Sequence, residues 1–471
     1  MPRTQAPWIL CVDIGTSSLK AALIDTEGHA AALVREAYAQ EDFTSSTILA
    51  ADWEDALVRA WGRLASQTGV QPEALCISGN GPTLVPLTPW GEALAPLHWY
   101  GPRLAAGDTA PSPQEHSLFL PYIRSFVQHR PQEYEKTKYL CCAQEWLAYR
   151  LGADLVTTLP AAAYEPYYWD QGQCGSAGVD IRMFPPFVKL GSLIGKVSPA
   201  VAARFNLPVG LPLVAGGPDF IMALIGVGAL KPGIVCDRAG TSEGINVCSP
   251  FPISRGTLRV LPHLNQGLWN ISSIIPSSGR LFEWFKTLTG QKERSYPELI
   301  AELIPQHGSF HKSQTWFFPK DPLPGVVLSL DGPGLVSRQE LGRAVLEAMG
   351  FLVRDALAAM ARQGFPVTEM WVSGGQGKNP RWNQLKADLC GCTLLIPEIY
   401  DGELAGDAAV AAVALGESAD LAEAVSRMIR RSAQYVPAVQ TREQYTEQYR
   451  SYRELKEKIH ACLTEGIHAA L

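Results

Sequence analysis

The chain has 471 residues, of which 46% are hydrophobic and 18% are charged, and its formal net charge is −6. A chain of this length usually forms more than one domain, and this composition is typical of a globular protein rather than a disordered one. The modest negative charge provides no general attraction to nucleic acid or to anionic membranes, so neither is an expected partner.

The sequence also indicates a compartment. No stretch approaches the roughly 18 uninterrupted apolar residues that a membrane helix requires, and the start of the chain lacks the long apolar segment of a signal peptide. The ten cysteines show no repeated spacing suited to zinc. We therefore expect a cytoplasmic protein whose cysteines are reduced and buried as small hydrophobic side chains.

The first part of the chain alternates in the manner of β-strands and then changes to a helical period. The segments "WILCVDIG", "LKAALIDTEG" and "HAAALVREAYA" predict an antiparallel meander of three strands. The segment "DWEDALVRAWGRLASQ" predicts an amphipathic helix with Asp52 as its N-cap, and "ALCISGN" predicts a buried strand. This order of strands and helices indicates an α/β fold.

The middle of the chain, from about residue 100 to about residue 215, is rich in proline and aromatic residues and has one clear helical segment, "AQEWLAYRLG". The second half then repeats the succession of strands and helices predicted for the first. A long amphipathic helix, "SRQELGRAVLEAMGFLVRDALAAMARQG", leads into a strand, a glycine turn and a helix in "VTEMWVSGGQGKNPRWNQLKADLCG".

The tail "REQYTEQYRSYRELKEKIHACL" carries a stripe of apolar side chains at steps of three and four residues, namely Tyr445, Tyr449, Tyr452, Leu455 and Ile459. This pattern predicts a terminal helix packed on its own domain, and a partner-binding face is the alternative.

Two segments, "CVDIGTSSLKAA" and "CDRAGTSEGINV", carry an aspartate just upstream of Gly-Thr-Ser. Backbone N–H groups and hydroxyls of such a turn can face a phosphate, and Asp13 beside the first turn can hold Mg²⁺ directly or through water. A single copy is weak evidence for a phosphate site, because many hairpins contain Gly-Thr-Ser. A phosphate chain bound in a cleft needs donors from both walls, so the second copy strengthens this interpretation. The two turns consist of Gly15, Thr16 and Ser17, and of Gly240, Thr241 and Ser242.

Two further segments could carry chemistry. In "VSGGQGKNPRWNQLKAD", Gly374 and Gly375 stand at a junction where adenine can lie against backbone, and Asn379 could hydrogen-bond the nucleoside. A plain connecting loop is the alternative, and the segment matches neither the Walker A nor the Rossmann pattern. In "AGGPDFIMALIGVGAL", Asp219 is either a helix N-cap or a base that accepts a hydroxyl proton during attack on a γ-phosphate.

Taken together and in this order, these segments resemble the FGGY family of carbohydrate kinases, within the actin-like, sugar kinase and heat-shock ATPase superfamily. "VDIGTSSLKAALID" and "AGTS" are similar to its two phosphate motifs, and "GLPLVAGGPDFIMALIGVGALKPG" is similar to the segment that carries its catalytic aspartate. "SGRLFEWFKTL" resembles its nucleotide-contacting helix, and "VSGGQGKNPRWNQLKADLCGCTLLIP" resembles its adenosine motif.

The resemblance implies an α/β fold of two ribonuclease H-like (actin-like ATPase) domains with mixed five-stranded sheets facing a central cleft. It implies a carbohydrate-binding domain at 1–230 and a nucleotide-binding domain at 231–471, which ends in a helical tail at 441–471. The implied cofactors are ATP and Mg²⁺, and the implied partner is a small sugar or polyol. A homodimer is compatible with the sequence, which does not establish an oligomeric state.

The resemblance also implies roles for individual residues. Asp219 would be the catalytic base and would also contact the substrate, and Asp13 would hold the metal. The implied nucleotide-binding residues are Gly15, Thr16, Ser17, Lys20, Gly240, Thr241, Ser242, Gly279, Glu283, Gly375, Gln376 and Asn379. The implied substrate-binding residues are Asn80, Gly81, Pro82, Trp99, Arg103 and Asp219.

The sugar motifs depart from the family pattern. "CISGNGPTLVPL" puts Gly81 and Pro82, which offer no side-chain hydrogen bonds, at two substrate-contacting positions. "WYGPR" has Gly101 where aspartate is usual, and a late "GAA" becomes "GDA", which places the extra carboxylate of Asp407 near the nucleotide side. Since a pocket for several hydroxyls normally supplies a polar partner for each, these losses argue against simply assigning xylulose or glycerol.

We therefore predict ATP-dependent phosphorylation of a hydroxyl of a small sugar or polyol, and a ketopentose such as xylulose or ribulose is the favoured acceptor. The alternative is a nucleotide- or sugar-binding regulatory member with weak or no kinase activity. The altered sugar motifs favour that alternative, whereas the retained Asp13, Asp219 and phosphate turns disfavour it. An actin- or chaperone-like ATPase does not explain the segment around Asp219.

Overall fold

The computed structural model describes residues 6–38, 48–101, 116–253, 257–276, 278–304, 314–319, 325–329 and 336–468. The chain forms two compact units. The first comprises Met1–Leu230, Leu261–Leu268 and Asp401–Ile429, and the second comprises Lys231–Val260, Trp269–Tyr400 and Arg430–Leu471. Within the described ranges, none of the helices is long and apolar enough to cross a membrane.

The strands of the first unit begin with the predicted meander. They are β1 (Trp8–Ile14), β2 (Ser18–Asp25), β3 (Ala30–Ala37), β4 (Ala74–Gly79), β5 (Leu84–Leu87), β6 (Tyr139–Cys142), β7 (Thr157–Leu159), β8 (Phe187–Lys189), β9 (Leu193–Lys196) and β10 (Pro212–Val214). The main sheet has the order β3-β2-β1-β4-β10-β9. Its first three strands pair antiparallel, whereas β1, β4 and β10 run parallel, so five strands form the expected mixed sheet and β9 adds an edge.

The described residues of the same part of the chain form eight α-helices. They are α1 (Ala50–Thr68), α2 (Leu120–His129), α3 (Pro131–Lys136), α4 (Ala143–Arg150), α5 (Glu165–Tyr168), α6 (Gln171–Ser176), α7 (Pro199–Phe205) and α8 (Asp219–Gly226). The helix predicted after the meander is α1, but the prediction that Asp52 is its N-cap is wrong. Leu49 is the cap residue, and Asp52 lies at the third helical position, where its carboxylate accepts a 2.7 Å hydrogen bond from the Leu49 backbone N–H.

The second unit repeats the mixed architecture. Its strands are β11 (Val235–Ala239), β12 (Glu243–Ser249), β13 (Arg259–Pro262), β14 (Trp269–Ile275), β15 (Thr315–Pro319), β16 (Gly325–Ser329), β17 (Glu369–Ser373), β18 (Thr393–Pro397) and β19 (Arg431–Tyr435). The main sheet has the order β13-β14-β12-β11-β17-β18-β19. The strands β14, β12 and β11 pair antiparallel, and β11, β17 and β18 pair parallel, so the same five-stranded pattern is present with one further strand at each edge.

The remaining helices are α9 (Ser278–Leu288), α10 (Tyr296–Leu303), α11 (Arg338–Arg362), α12 (Pro380–Cys390), α13 (Gly402–Ala414), α14 (Leu421–Met428) and α15 (Arg442–His468). The helices α13 and α14 belong to the first unit, although they follow the strands of the second in the chain. The stripe on α15 packs on its own unit, as predicted, because Tyr445 and Tyr452 are buried in a core cluster with Phe285, Phe317 and Phe351.

Each main sheet contains a strand that is buried on both faces. Every residue of β4 is buried, as are all seven of β12, so neither strand has a solvent-facing side. The ten cysteines are unpaired, and all except Cys462 are buried, which confirms the expectation of reduced thiols packed as small hydrophobic groups.

Candidate functional site

The first Gly-Thr-Ser turn joins β1 to β2 in the first unit. Gly15 N–H donates to the Ser18 carbonyl at 3.0 Å, which closes the turn. From β3, the Arg35 guanidinium donates to the Ser18 hydroxyl at 2.7 Å and to the Ser17 hydroxyl at 3.3 Å. The turn is therefore held by its own backbone and by a cation from the neighbouring strand.

Asp13 and Lys20 lie opposite one another across the β1–β2 hairpin that carries this turn. The Lys20 ammonium is 3.3 Å from an Asp13 carboxylate oxygen, 3.1 Å from Asp401 and 3.7 Å from Glu403. The last two residues stand at the start of α13, and no sequence motif marks them as part of this site. Three carboxylates thus surround one ammonium group beside the turn.

The electrostatics of this cluster follow from its burial. Burial raises the pKa of Asp13 to about 7, while Lys20 opposes the rise and Glu403 and Asp219 add to it. Burial lowers the pKa of Lys20, but Glu403, Asp401 and Asp13 outweigh it and hold that pKa above its usual value. Lys20 therefore stays charged. A cation bound next to Asp13 would lower the pKa of Asp13 and favour its ionised form.

Asp219 lies at the same edge of the first sheet. The preceding Pro218 pairs with Gly79 at the end of β4, and Asp219 is the first residue of α8. Its Oδ1 accepts a 2.6 Å hydrogen bond from the Phe220 backbone N–H. The structure thus gives the N-cap position to Pro218 rather than to Asp219. The charge of Asp219 raises the pKa of Asp13, so the two carboxylates lie within electrostatic reach of one another.

Asp407 lies in the first unit and not on the nucleotide side where the sequence analysis placed it. It is fully buried on α13, and its carboxyl group contacts the Ser78 hydroxyl at 3.1 Å and the Cys76 thiol at 3.7 Å. Burial, with a contribution from Asp13, raises its pKa well above the usual range. The reason for the difference is that α13 returns to pack on β1 and β4, which motif order does not reveal.

The segments expected to bind the sugar lie next to this cluster. Asn80 is buried, and its side-chain oxygen accepts a 2.6 Å hydrogen bond from Thr83, while Gly81 and Pro82 follow it with a cis peptide bond between them. The Trp99 indole N–H donates to the Thr16 hydroxyl at 3.1 Å, which ties the sugar segment to the phosphate turn. Arg103 lies outside the described residues.

The second Gly-Thr-Ser turn joins β11 to β12 at the corresponding position of the second sheet. Gly240 N–H donates to the Ser242 carbonyl at 3.0 Å. Helix α9 begins against this turn, and a Cβ at Gly279 would collide with the Gly240 carbonyl, so the close approach requires glycine. The carboxylate of Glu283, one turn further along, contacts the Tyr296 hydroxyl and lies 3.8 Å from the Lys286 ammonium.

The glycine turn after β17 lies against the same region of the second unit. Gly374 has φ of 103°, and a Cβ there would lie 2.6 Å from the Ala239 carbonyl, so this position also requires glycine. A Cβ at Gly375 would meet no atom of the described residues within 4 Å, which leaves open space on that side. The oxygen of Asn379 caps α12 by accepting from the Trp382 backbone N–H at 3.0 Å.

The Gln376 side chain links these segments. Its amide nitrogen lies 3.5 Å from the Gly240 carbonyl and 3.4 Å from the Ser278 hydroxyl, and its oxygen accepts from the Trp382 indole at 3.0 Å. The second turn, the start of α9 and the glycine turn are therefore joined through one amide group.

Beneath them lies a buried ionic cluster that the sequence analysis missed. The Lys386 ammonium contacts the carboxylates of Asp237 and Glu243, and Glu243 also accepts a 2.5 Å hydrogen bond from Ser278. All four side chains are buried. A signal was present, because Lys386 interrupts the apolar face of its helix and two acids flank the motif in "CDRAGTSE".

The residues around Asp13 fit a divalent cation that is shared with a ligand. No group of three or more histidine, cysteine or carboxylate side chains within the described residues forms a complete metal cage. However, the Glu403 Oε2 atom is buried near Asp13 and, apart from its 3.7 Å ion pair with Lys20, has no hydrogen-bond partner among the described residues. Mg²⁺ is commonly held by one or two carboxylates together with phosphates and water, and this donor set matches that pattern.

Comparison with known proteins identifies the family. The model for the N-terminal domain of the FGGY family of carbohydrate kinases matches residues 116–226, and the model for its C-terminal domain matches residues 238–415. The xylulose kinase of Bacillus subtilis is 24% identical over 490 residues, which is 95% of this chain and 96% of that protein.

Further similar proteins are an autoinducer-2 kinase and a xylulose kinase of known structure. An autoinducer-2 kinase of Escherichia coli is 24% identical over 354 residues, covering 69% of this chain and 66% of that protein. A crystal structure of xylulose kinase from Rhodospirillum rubrum superposes with a TM-score of 0.76 at 22% identity, covering 96% of this chain and 99% of that one. The chain therefore belongs to the FGGY family of carbohydrate kinases and is a sugar kinase, which transfers phosphate from ATP to an alcohol group.

Proposed function

We propose that this kinase transfers the γ-phosphoryl group of ATP to a hydroxyl of a small sugar or polyol, with Asp219 as the general base. The supporting observation is that Asp13 and Asp219 lie within electrostatic reach at one edge of the first sheet. There the parallel strands β1, β4 and β10 end. Ligands of sheets with parallel strands bind at this carboxyl edge.

The position of Asp219 suits proton acceptance. Its carboxylate stands at the first turn of α8, and the hydrogen bond from the Phe220 N–H holds one of its oxygens in place. An acceptor hydroxyl that donates a hydrogen bond to this carboxylate becomes a better nucleophile as its proton moves to the carboxylate. In phosphoryl transfer, such a residue positions the attacking hydroxyl and accepts its proton.

The two Gly-Thr-Ser turns are proposed as phosphate sites. Each turn is closed by a 3.0 Å backbone hydrogen bond, which leaves the Thr and Ser positions at the tip of a hairpin. Lys20 adds a permanent charge beside the first turn. In the second unit, the open space beside Gly375 suits the flat adenine ring, and Gln376 and Asn379 would border it. In the same proposal, Gly279 and Glu283 border the nucleotide from α9.

Asp13 is proposed to hold Mg²⁺, with Glu403 as its neighbour. When bound, the ion would neutralise charge on the phosphate oxygens of the nucleotide. The Asp13 carboxyl group has a pKa of about 7, and a nearby cation would lower that pKa and favour ionisation. Lys20 offsets one of the three negative charges of this cluster, and the bound ion would offset the others.

A ketopentose such as xylulose or ribulose is the favoured acceptor. The names of the relatives support this choice, while the chain supplies few polar side chains where Gly81 and Pro82 stand. Asn80 already accepts from Thr83, and the Trp99 N–H is donated to Thr16. In this proposal Asn80 offers its remaining amide hydrogens, the ring of Trp99 packs against the carbon face of the sugar, and Arg103 completes the contact.

Release of ADP with Mg-ATP across ketoses, polyols and sugar acids tests the proposal. Turnover that depends on the acceptor and is fastest with a ketopentose is the expected result. Preference for a polyol or a sugar acid would overturn the choice of acceptor and leave the kinase intact. Tight ADP binding without turnover for any acceptor would overturn the kinase and favour the regulatory alternative.

A further inference from the structure

Arg280 lies directly beside the second Gly-Thr-Ser turn. It is the third residue of α9, and its backbone N–H donates to the Thr241 carbonyl at 3.3 Å. The preceding Gly279 packs so closely on the Gly240 carbonyl that a Cβ would collide with it. The position of the Arg280 backbone relative to the turn is therefore fixed.

The Arg280 guanidinium has no counter-charge in the part of the chain that the structure describes. Its Nε is buried without a hydrogen-bond partner among those residues. The acidic side chain on α9 itself and the one that follows the second turn are already engaged. Glu243 contacts Lys386 and Ser278, and Glu283 contacts Tyr296 and Lys286. A cation with a buried N–H and no partner is costly unless a ligand supplies one.

The helix makes the same position unfavourable for a cation. The N-terminus of a helix carries a partial positive charge and attracts anions, and the first turn of α9 contains no acidic residue. Arg280 therefore adds positive charge where charge of that sign already accumulates. The turn and the helix start together form a surface suited to an anion, and Arg280 strengthens it.

We propose that the Arg280 guanidinium binds a phosphate group of the nucleotide. This inference rests on the proposed role of Gly240–Ser242 as a phosphate turn and names a residue that acts there. Guanidinium groups pair with phosphate oxygens through two parallel N–H donors, which supplies both charge and orientation. The Nε–H has no hydrogen-bond partner among the described residues and is one of these donors.

The experiment measures the dissociation constants of Mg-ADP, Mg-ATP and adenosine for the full chain and for Arg280→Met, Arg280→Lys and Arg442→Met. Arg442 is an exposed first-turn arginine of α15 in the same unit, so its replacement makes the same charge change at another helix start. Arg280→Met should weaken binding of both nucleotides by about 10- to 100-fold and leave adenosine unchanged. Arg280→Lys should recover part of the loss, and Arg442→Met should bind as wild type does.

Thermal unfolding without nucleotide separates this role from a structural one. Removing an unpartnered cation from a helix N-terminus should leave the melting temperature of Arg280→Met equal to that of wild type or higher. Nucleotide affinities of Arg280→Met equal to those of wild type would overturn the inference. An equal loss of adenosine affinity would also overturn it. Failure of wild type itself to bind ADP would instead contradict the proposed function.

Discussion

The Lys386 ammonium lies 2.5 Å from the Asp237 carboxylate, and both side chains are fully buried in the second unit. Glu243 is the second carboxylate on the same ammonium. Burial and the neighbouring Glu243 raise the pKa of Asp237 well above its usual value, although Lys386 opposes the rise. Burial acts on Glu243 in the same direction, but Lys386 outweighs it and keeps that pKa below its usual value. The shared ammonium therefore favours the ionised form of Glu243 more strongly than that of Asp237.

We expect Lys386→Met to lower the free energy of unfolding by about 3 to 5 kcal/mol, because it leaves buried acids without their cation. Adding Glu243→Gln should recover part of this loss, since one of the stranded acids is then neutral. Urea denaturation measures both effects. The control is Lys292→Met at an exposed lysine of the same unit, which should change stability by less than about 0.5 kcal/mol. Equal stability of the two Lys→Met variants would contradict the ionic cluster.

A second prediction concerns the hydrogen bond from Trp99 to Thr16. Trp99→Phe keeps an aromatic ring but removes the indole N–H, so the Thr16 hydroxyl loses the donor that orients it. Such a bond is worth about 1 kcal/mol, and we expect the KM for ATP to rise about fivefold. Steady-state kinetics measure this change. Trp90→Phe at a tryptophan that is 84% exposed is the control and should leave the KM unchanged. A KM for ATP in Trp99→Phe that matches wild type would show that the bond has no role in nucleotide binding.

A third prediction concerns the pH dependence of stability. Glu145 is fully buried at the start of α4, and burial raises its pKa from 4.5 to about 7, although the backbone N–H groups of Cys142 and Thr158 oppose the rise. A raised pKa means that the folded state binds the proton more tightly than the unfolded state. The resulting stabilisation is complete below about pH 4.5 and is lost as the pH rises through about 7.

Glu145→Gln removes this titration, so its stability relative to wild type should increase between about pH 5 and about pH 8. The slope is about 1.4 kcal/mol per pH unit within the window. Thermal unfolding at both pH values measures it, and Glu92→Gln at an exposed glutamate is the control. A difference between Glu145→Gln and wild type that stays constant with pH would show that Glu145 keeps one charge state throughout.

Much of the fold could be predicted from the sequence, because its strands and helices have strong periods. The three-strand meander and the long α11 appear where apolar residues repeat at the steps of a strand or a helix, and β4 appears as a short continuous apolar run. The middle of the chain could not be predicted in the same way. Its helices are short, and aromatic contacts such as Trp169 stacked on Phe184 at 4.1 Å hold that region together.

The parts of the site that depend on long-range contacts could not be predicted either. The return of α13 to the first unit brings Asp401, Glu403 and Asp407 to the neighbourhood of Asp13, almost four hundred residues away in the chain. Capping by Asp52 was misassigned because an aspartate at the third helical position and one at the cap look alike in a sequence. The two Gly-Thr-Ser turns could be located from the sequence because a hairpin tip is a local structure.

Replacement of Asp219 by asparagine tests the central claim, that this carboxylate accepts the proton of the acceptor hydroxyl. The measurement is kcat for the best acceptor together with the dissociation constant of Mg-ADP, in Asp219→Asn and in the control Asp55→Asn at an exposed position on α1. We predict that Asp219→Asn lowers kcat by about 10² to 10⁴, with ADP affinity unchanged, and that the control matches wild type. A kcat for Asp219→Asn within a few-fold of wild type would contradict the assignment of Asp219 as the base.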